Sequence, residues 1–283
     1  MGLALRTMEV TDLGFAGSLS VLVGWNQTAR DWERLLAVEP EGCFIAEWDG
    51  KRAGTATTTC YGTDLAWIGM ILVHPDFRRH GIGRSLMGHC LDFLKGRAIR
   101  CVKLDATPLG KTLYDQLGFR DEWTLARWEA EKLQILATAH SGPIRPIREA
   151  DCPRIFDLDA RAFGVSRRKL IGQLARQGQG LVMESGGRLE GYGMMRSGMR
   201  ADYLGPVVAS SPEAGIALSR ALLSGACGKP IFWDIPDQAK EAVALAQTLG
   251  FIQQRQLIRM HRGENLDPGE PHLQFAIADP ATG

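Results

Sequence analysis

Residues 71–86 constrain the fold of this chain more than any other stretch. The apolar, strand-like run Ile71-Leu72-Val73 passes through His74-Pro75-Asp76-Phe77 into the basic turn Arg78-Arg79-His80-Gly81-Ile82-Gly83, and Arg84-Ser85-Leu86 opens a helix. Strand, glycine turn and helix in that order build an anion cradle. The first amides of a helix have no intrahelical partner and lie at the positive end of its dipole, so a phosphate can collect them. Gly81 and Gly83 carry no Cβ and let a ligand approach the main chain, while Arg78, Arg79 and Arg84 add charge suited to a diphosphate. Spacing excludes two common grips. A Walker A loop needs Gly followed by Lys and Ser or Thr, and a dinucleotide fingerprint needs a glycine where Leu86 stands; neither pattern is present.

The run Arg78 to Gly83 resembles the [Q/R]-x-x-G-x-[G/A] element of the GNAT acyltransferases, which an apolar strand and Val-x-Pro precede as they do here. Further along, the strand-like Lys103-Leu104-Asp105-Ala106-Thr107 and the helix-like Leu109 to Leu117, closed by Gly118-Phe119, are similar to the second half of the GNAT core. The resemblance implies acetyl-coenzyme A as co-substrate. Main-chain groups and side chains of Arg78, Arg79, His80, Gly81, Ile82, Gly83, Arg84 and Ser85 would hold its diphosphate. Its pantetheine arm would lie between parted strands near 68–73 and 101–106 and pair with Ile71, Leu72 and Val73. A main-chain N–H near Ile71 or Leu72 would face the acetyl carbonyl. The family also places a tyrosine on the helix after the fifth strand as proton donor to the departing sulfur, and Tyr114 stands there. On the residues alone, Tyr114 reads equally as a packing side chain; its chemistry suits the acid, since a phenol with a reference pKa of about 10 keeps its proton at neutral pH.

The chain also repeats itself. Leu5-Arg6-Thr7-Met8-Glu9-Val10-Thr11-Asp12 answers Ile144-Arg145-Pro146-Ile147-Arg148-Glu149-Ala150-Asp151, Phe44 to Gly50 answers Leu181 to Gly187, and Leu113 to Phe119 answers Leu245 to Phe251. Aligned without gaps from Ile68-Gly69 and Leu204-Gly205 onward, Arg78 faces Ala214, Gly81 faces Ala217 and Gly83 faces Ser219; in the later helix Tyr114 faces Ala246. A period this long indicates duplicated domains, not a solenoid. The expectation is an α+β chain of two tandem GNAT-like domains, each a mixed, mostly antiparallel sheet flanked by helices. The working domain would span 1–139, a linker 140–146, a degenerate copy 147–263, and an irregular tail that caps or frays 264–283.

Composition sets the outer bounds: 283 residues, 45% hydrophobic and 23% charged, suffice for two cores, and the formal net charge of +1 argues against nucleic acid or an acidic membrane as partner. Six cysteines without a C-x-x-C pair indicate neither a zinc site nor a disulfide framework, and fit a reducing cytoplasm. No signal peptide or membrane-length apolar run is apparent. The expected reaction is acetyl transfer to a primary amine of a small molecule or peptide, by direct attack in a ternary complex without a metal, by a monomer or homodimer. For the acceptor, Trp25 and Trp32 offer an aromatic wall with Asn26 or Glu33 as polar partner; their i, i+7 spacing equally suits packing. Glu33, Glu47, Asp64, His74 and Asp105 are open candidates for a base. The same grip also permits a non-catalytic acyl-CoA-binding or sensing protein, or an acyl-CoA hydrolase, because a fold does not guarantee turnover.

Overall fold

The computed structural model describes residues 2–133, 144–226, 228–265 and 268–283. The first half runs β1 (Leu3–Thr7), α1 (Leu13–Leu22), α2 (Ala29–Val38), β2 (Cys43–Trp48), β3 (Lys51–Tyr61), β4 (Leu65–Val73), α3 (Ile82–Gly96), β5 (Cys101–Ala106), α4 (Pro108–Gln116) and β6 (Arg120–Ala130). The second repeats that order with β7 (Ile144–Pro146), α5 (Cys152–Phe163), α6 (Arg168–Gln177), β8 (Gln179–Ser185), β9 (Arg188–Arg196), β10 (Asp202–Ala209), α7 (Pro212–Gly225), β11 (Ile231–Pro236), α8 (Lys240–Thr248) and β12 (Ile252–Gly263), then adds β13 (Gln274–Ala276). Both halves show the expected α+β order. Among the described residues no helix is long and apolar enough to cross a membrane.

The duplication is written in matching side-chain networks. Arg6 binds Asp12 at 2.6 Å and Glu47 at 2.8 Å; at the corresponding corner, Arg145 binds Asp151 at 2.6 Å and reaches Glu184. Each aspartate also accepts the backbone N–H three residues before it, so one carboxylate caps a turn and holds the arginine that ties the first strand of its half to Glu47 of β2 or Glu184 of β8. The guanidinium beside each carboxyl holds both well below the usual carboxylate range.

The strands form a single sheet in the order β1-β2-β3-β4-β5-β12-β6-β11-β10-β9-β8-β7, antiparallel except where β4 meets β5 and β10 meets β11. The last strand of each half has crossed into the other. β12 inserts between β5 and β6, and β6 inserts between β12 and β11. The sheet therefore has no division at a sequence boundary between 1–139 and 147–263. Two buried ion pairs bridge the exchanged strands to their neighbours: Arg259 of β12 binds Asp105 of β5 with both contacts at 2.9 Å, and Arg127 of β6 binds Asp234 of β11 at 2.8 and 2.6 Å. Arg259 is further held between the rings of Trp67, at 4.5 Å, and Trp123, at 4.1 Å.

Two expectations about the connections need correction or restriction. Residues 140–143 of the anticipated linker lie outside the described residues, while Ile144–Pro146 is already the edge strand β7, paired with β8. The tail does not fray. Leu273, Phe275, Ala276, Ile277 and Ala278 are all buried, and β13 pairs with β10. Phe275 packs against Gly215 so closely that a Cβ there would sit 2.5 Å from the ring. Apolar burial holds this segment in place despite its prolines.

Candidate active site

The basic turn folds into the cradle its sequence suggested. Gly81 is the N-cap of α3 with φ +77°, in the left-handed region that glycine occupies without penalty, and Arg79 also has positive φ, +65°. The helix ladder starts with Ser85 N–H to Gly81 O at 3.0 Å, and the amides of Gly81 to Arg84 donate to no described residue. A Cβ on Gly81 would meet nothing within 4 Å, and one on Gly83 only Val73 Cγ2 at 3.8 Å, so the space over these amides is open. Arg78, Arg79, His80 and Arg84 are exposed around it, while Ile82 is buried and anchors the turn in the core. His80 Nδ1 donates to the Arg78 carbonyl, 2.9 Å away, and the ring lies against Trp48; Arg84 bonds Gln116. Open amides, room above them and three flanking guanidiniums suit a diphosphate.

From this cradle β4 leads into a cleft. β4 pairs with β5 only from Leu65 to Trp67, against Cys101 to Lys103; beyond Trp67 the parallel strands part. Opposite the parting, the β3–β4 register shifts between Thr55 and Thr57, Met70 takes φ +50°, and its carbonyl accepts Thr55 Oγ1 at 2.9 Å. This bulge re-aims the strand at the opening. The cleft encloses about 730 Å³ of empty space including its mouth, and among its walls are Trp25, Gln27, Ile71, Asp105, Tyr114 and Arg255. Its polar walls come from α4, β5, β6, β12 and the α1–α2 connection.

Tyr114 reaches the cleft because of local sequence. Thr107 caps α4, accepting the Gly110 N–H at 3.2 Å, and Pro108 follows at the first helical position. Gly110 leaves room for the ring of Tyr114 one turn on, whose Cε2 would lie 3.1 Å from a Cβ there. The ring also packs on Phe119. Burial pushes its phenol up to about 12, and the hydroxyl bonds to no described residue.

The acceptor residues expected from sequence separate into three roles. Trp25 lines the cleft. Trp32 does not: it is 0% exposed and donates to Ser20 Oγ at 3.1 Å, an indole used to pack α2 on α1. Asn26 is buried, and its amide is consumed in joining the halves, donating to Ala201 O at 2.9 Å and accepting from the amides of Arg200 and Ala201. Of the candidate bases only Asp105 borders the cleft. Glu33 is exposed on α2, Glu47 binds Arg6, Asp64 lies near Arg100, and His74 faces Asp76. Burial pushes the Asp105 carboxyl up, and the bidentate Arg259 opposes that shift and keeps it as a paired anion. Sequence reasoning missed Gln27, whose Oε1 is buried without a partner, and Arg255, whose Nε is likewise buried and unpartnered.

In the second half the site is absent for a different reason than substitution. A gap-free alignment sets Arg78, Gly81 and Gly83 against Ala214, Ala217 and Ser219, but these three lie inside α7, which starts at Pro212. Only Ser210 and Ser211 separate β10 from α7, where eight residues, 74–81, separate β4 from α3, so the glycine turn is cut out. Beyond Leu204, where β10 and β11 part, β13 fills the gap: Val207 pairs with Ala276, Trp233 Nε1 donates to Phe275 O at 2.9 Å, and Ile277 N–H donates to Asp234 O at 3.1 Å. Ala246, at the position of Tyr114, is buried in α8.

Comparison with known proteins bears on the family and the fold. The model of the Acetyltransferase (GNAT) family matches residues 18–119, and that of the Acetyltransferase (GNAT) domain matches residues 155–276. The chain is similar to the uncharacterized N-acetyltransferase YitH of Bacillus subtilis, 26% identical over 176 residues that cover 62% of this chain and 61% of that protein. It spans about half to three fifths of the length of the curated relatives it matches. A putative acetyltransferase from Pyrococcus horikoshii superposes with a TM-score of 0.86 over 100% of this chain and 96% of that one, at 23% identity. A tandem GNAT protein from the clavulanic acid biosynthesis pathway gives 0.68 over 93% and 98%, at 15% identity. At such identities the likeness speaks for the fold alone. With a family match in each half, the chain belongs to the GNAT acetyltransferase family as a tandem protein.

Proposed function

We propose that the first half transfers an acetyl group from acetyl-coenzyme A to a primary amine by direct attack in a ternary complex. One observation carries this reading: the free edge of β4 runs from a glycine cradle of unpaired amides to a cleft lined by the unpartnered hydroxyl of Tyr114. The amides of Gly81 to Arg84, with Arg78, Arg79 and Arg84, hold the diphosphate. Ile71, Leu72 and Val73 offer main-chain groups to the pantetheine amides, as an edge strand does to an added one. The bound donor supplies a thioester already activated for attack. Tyr114, neutral because its phenol is pushed up to about 12, gives its proton to the departing sulfur. Gln27 Oε1 accepts an N–H of the acceptor, and with Asp105 engaged by Arg259 the surplus ammonium proton leaves to water at the cleft mouth.

Calorimetry with acetyl-coenzyme A, joined to thiol release over a panel of amines and peptides, tests the reading. Tyr114→Phe should bind the donor as the parent does and lose roughly a hundredfold or more in turnover. Absence of donor binding refutes the proposal. Binding without release across the panel assigns a sensor, and release without an acceptor assigns a hydrolase.

A further inference from the structure

The cleft contains a cation that the protein itself leaves unmatched. Arg255 reaches it on β12, from the second half of the sequence, at a bulge where the β12–β6 register shifts between Gln253 and Arg255. Its Nε is buried without a hydrogen bond, and the side chain makes no ion pair with any described residue. Every carboxylate nearby is already taken. Asp105 belongs to Arg259; Asp234 is held by Arg127 and by Tyr203 Oη at 2.9 Å; Asp279 is held by Arg196 at 2.7 Å and by the Ala281 amide at 2.8 Å. Asp31 is held by Arg34 and Thr28. Burial and the like charge of Arg127 push the Arg255 guanidinium down to about 10, which still leaves it charged at neutral pH. The guanidinium is partly buried with its Nε dry and unpaired, so an anion that completes it is favoured, and its planar fork matches a carboxylate.

We infer that Arg255 binds a carboxylate on the acceptor, so that the amine acetylated in this cleft belongs to a compact amino acid or to a molecule carrying both groups at similar separation. This rests on the acyl-transfer reading for the role of the amine, but the binding claim stands by itself. Arg255, Gln27 and Tyr114 line one cleft that must also admit the end of a pantetheine arm, which favours a compact acceptor. Gln27 Oε1, the other buried polar atom without a described partner among the residues lining this cleft, takes the ammonium end.

The test is calorimetric titration of the full chain, with and without saturating coenzyme A, using the common L-amino acids, their N-acetyl derivatives and the matching carboxamides. At least one carboxylate ligand should bind, and its carboxamide should bind roughly 10- to 100-fold more weakly. Arg255→Met should lower carboxylate affinity by the same factor, Arg255→Lys should restore part of it, and melting no lower than the parent's together with unchanged coenzyme A affinity establishes that both variants are folded. Carboxamides binding as tightly as acids, no carboxylate binding at all, or phosphoethanolamine binding where amino acids do not would each overturn the inference. Acetylation of neutral amines alone would overturn it while leaving acyl transfer intact; failure to bind any acyl-coenzyme A would sink acyl transfer while the titrations without coenzyme A still decide the carboxylate site.

Discussion

Removing Arg259 tests whether the two halves are one folding unit, because its partner Asp105 lies across the strand exchange. Both side chains are nearly inaccessible, 3% and 0% exposed, and they share two contacts of 2.9 Å. Arg259→Met leaves the carboxylate buried and unpaired, which costs roughly 3–5 kcal/mol. The pH dependence supplies an independent check. Without the guanidinium, burial together with the charges of Asp234 and Glu122 raises the Asp105 pKa in the folded state. The folded variant then binds more protons than the unfolded chain at pH values between the unfolded carboxyl value, about 4, and the raised one. Its stability therefore increases on acidification from pH 7.5 toward 5, by up to about 1.4 kcal/mol per unit, until other groups titrate. Asp105→Asn combined with Arg259→Met should remove this slope and recover part of the loss. Urea unfolding followed by tryptophan fluorescence, with Trp67 and Trp123 against the pair, and by far-ultraviolet circular dichroism should give coincident transitions if the exchanged sheet unfolds as one. A loss below about 1 kcal/mol, or no pH dependence in the single variant, would refute the reasoning.

Gly81→Ala, at φ +77°, should cost roughly 1–2 kcal/mol of stability or shift the turn, with acetyl-coenzyme A affinity down about tenfold in calorimetry. Gly83→Ala is the contrasting case: its Cβ meets only Val73 at 3.8 Å and Ala favours a helix, so melting should rise slightly while affinity is kept. Phe275→Ala should destabilise by about 3–5 kcal/mol in thermal melts and reduce turnover through Pro280 and Ala281 at the cleft. The depressed Asp12 and Asp151 carboxyls stabilise above their unfolded value near 4 and lose that contribution as pH falls below it, so Asp12→Asn should flatten the acid side of a melting-versus-pH curve.

What the sequence made legible was local. The cradle's strand–turn–helix order follows from the glycine and arginine spacing at 78–84, the place of Tyr114 from its match within Leu113 to Phe119, and the duplication from Leu5 to Asp12 recurring as Ile144 to Asp151 and Phe44 to Gly50 as Leu181 to Gly187. The strand exchange was not legible, because a strand has two edges and its side-chain pattern does not name which distant strand will take each. Arg255 stands in Gln253-Gln254-Arg255-Gln256, a polar run that reads as a solvated face until β12 is placed between β5 and β6. Pro268, Pro271 and Pro280 masked the apolar run from Leu273 to Ala278, and Trp25 and Trp32 share a pattern that does not tell the cleft wall from the core.

The exchange explains why a copy without a cradle is still needed. In the second half the slot between parted strands is closed by β13, and that same segment continues to Pro280 and Ala281, which wall the cleft of the first half; Trp67 Nε1 donates to Pro280 O at 3.0 Å, and a Cβ on Gly69 would sit 2.5 Å from Ala281 O. The copy thus gives up its own ligand gap to hold a wall of its neighbour's. It also lends β12, and with it Arg255 and Leu257, to the cleft floor. Cut from the second half, the first would expose β5 along its β12 side and β6 along both sides, edges that invite pairing with other chains. The first half is therefore incomplete in both senses, lacking a sheet partner and lacking the one cation in its cleft that no described carboxylate neutralises.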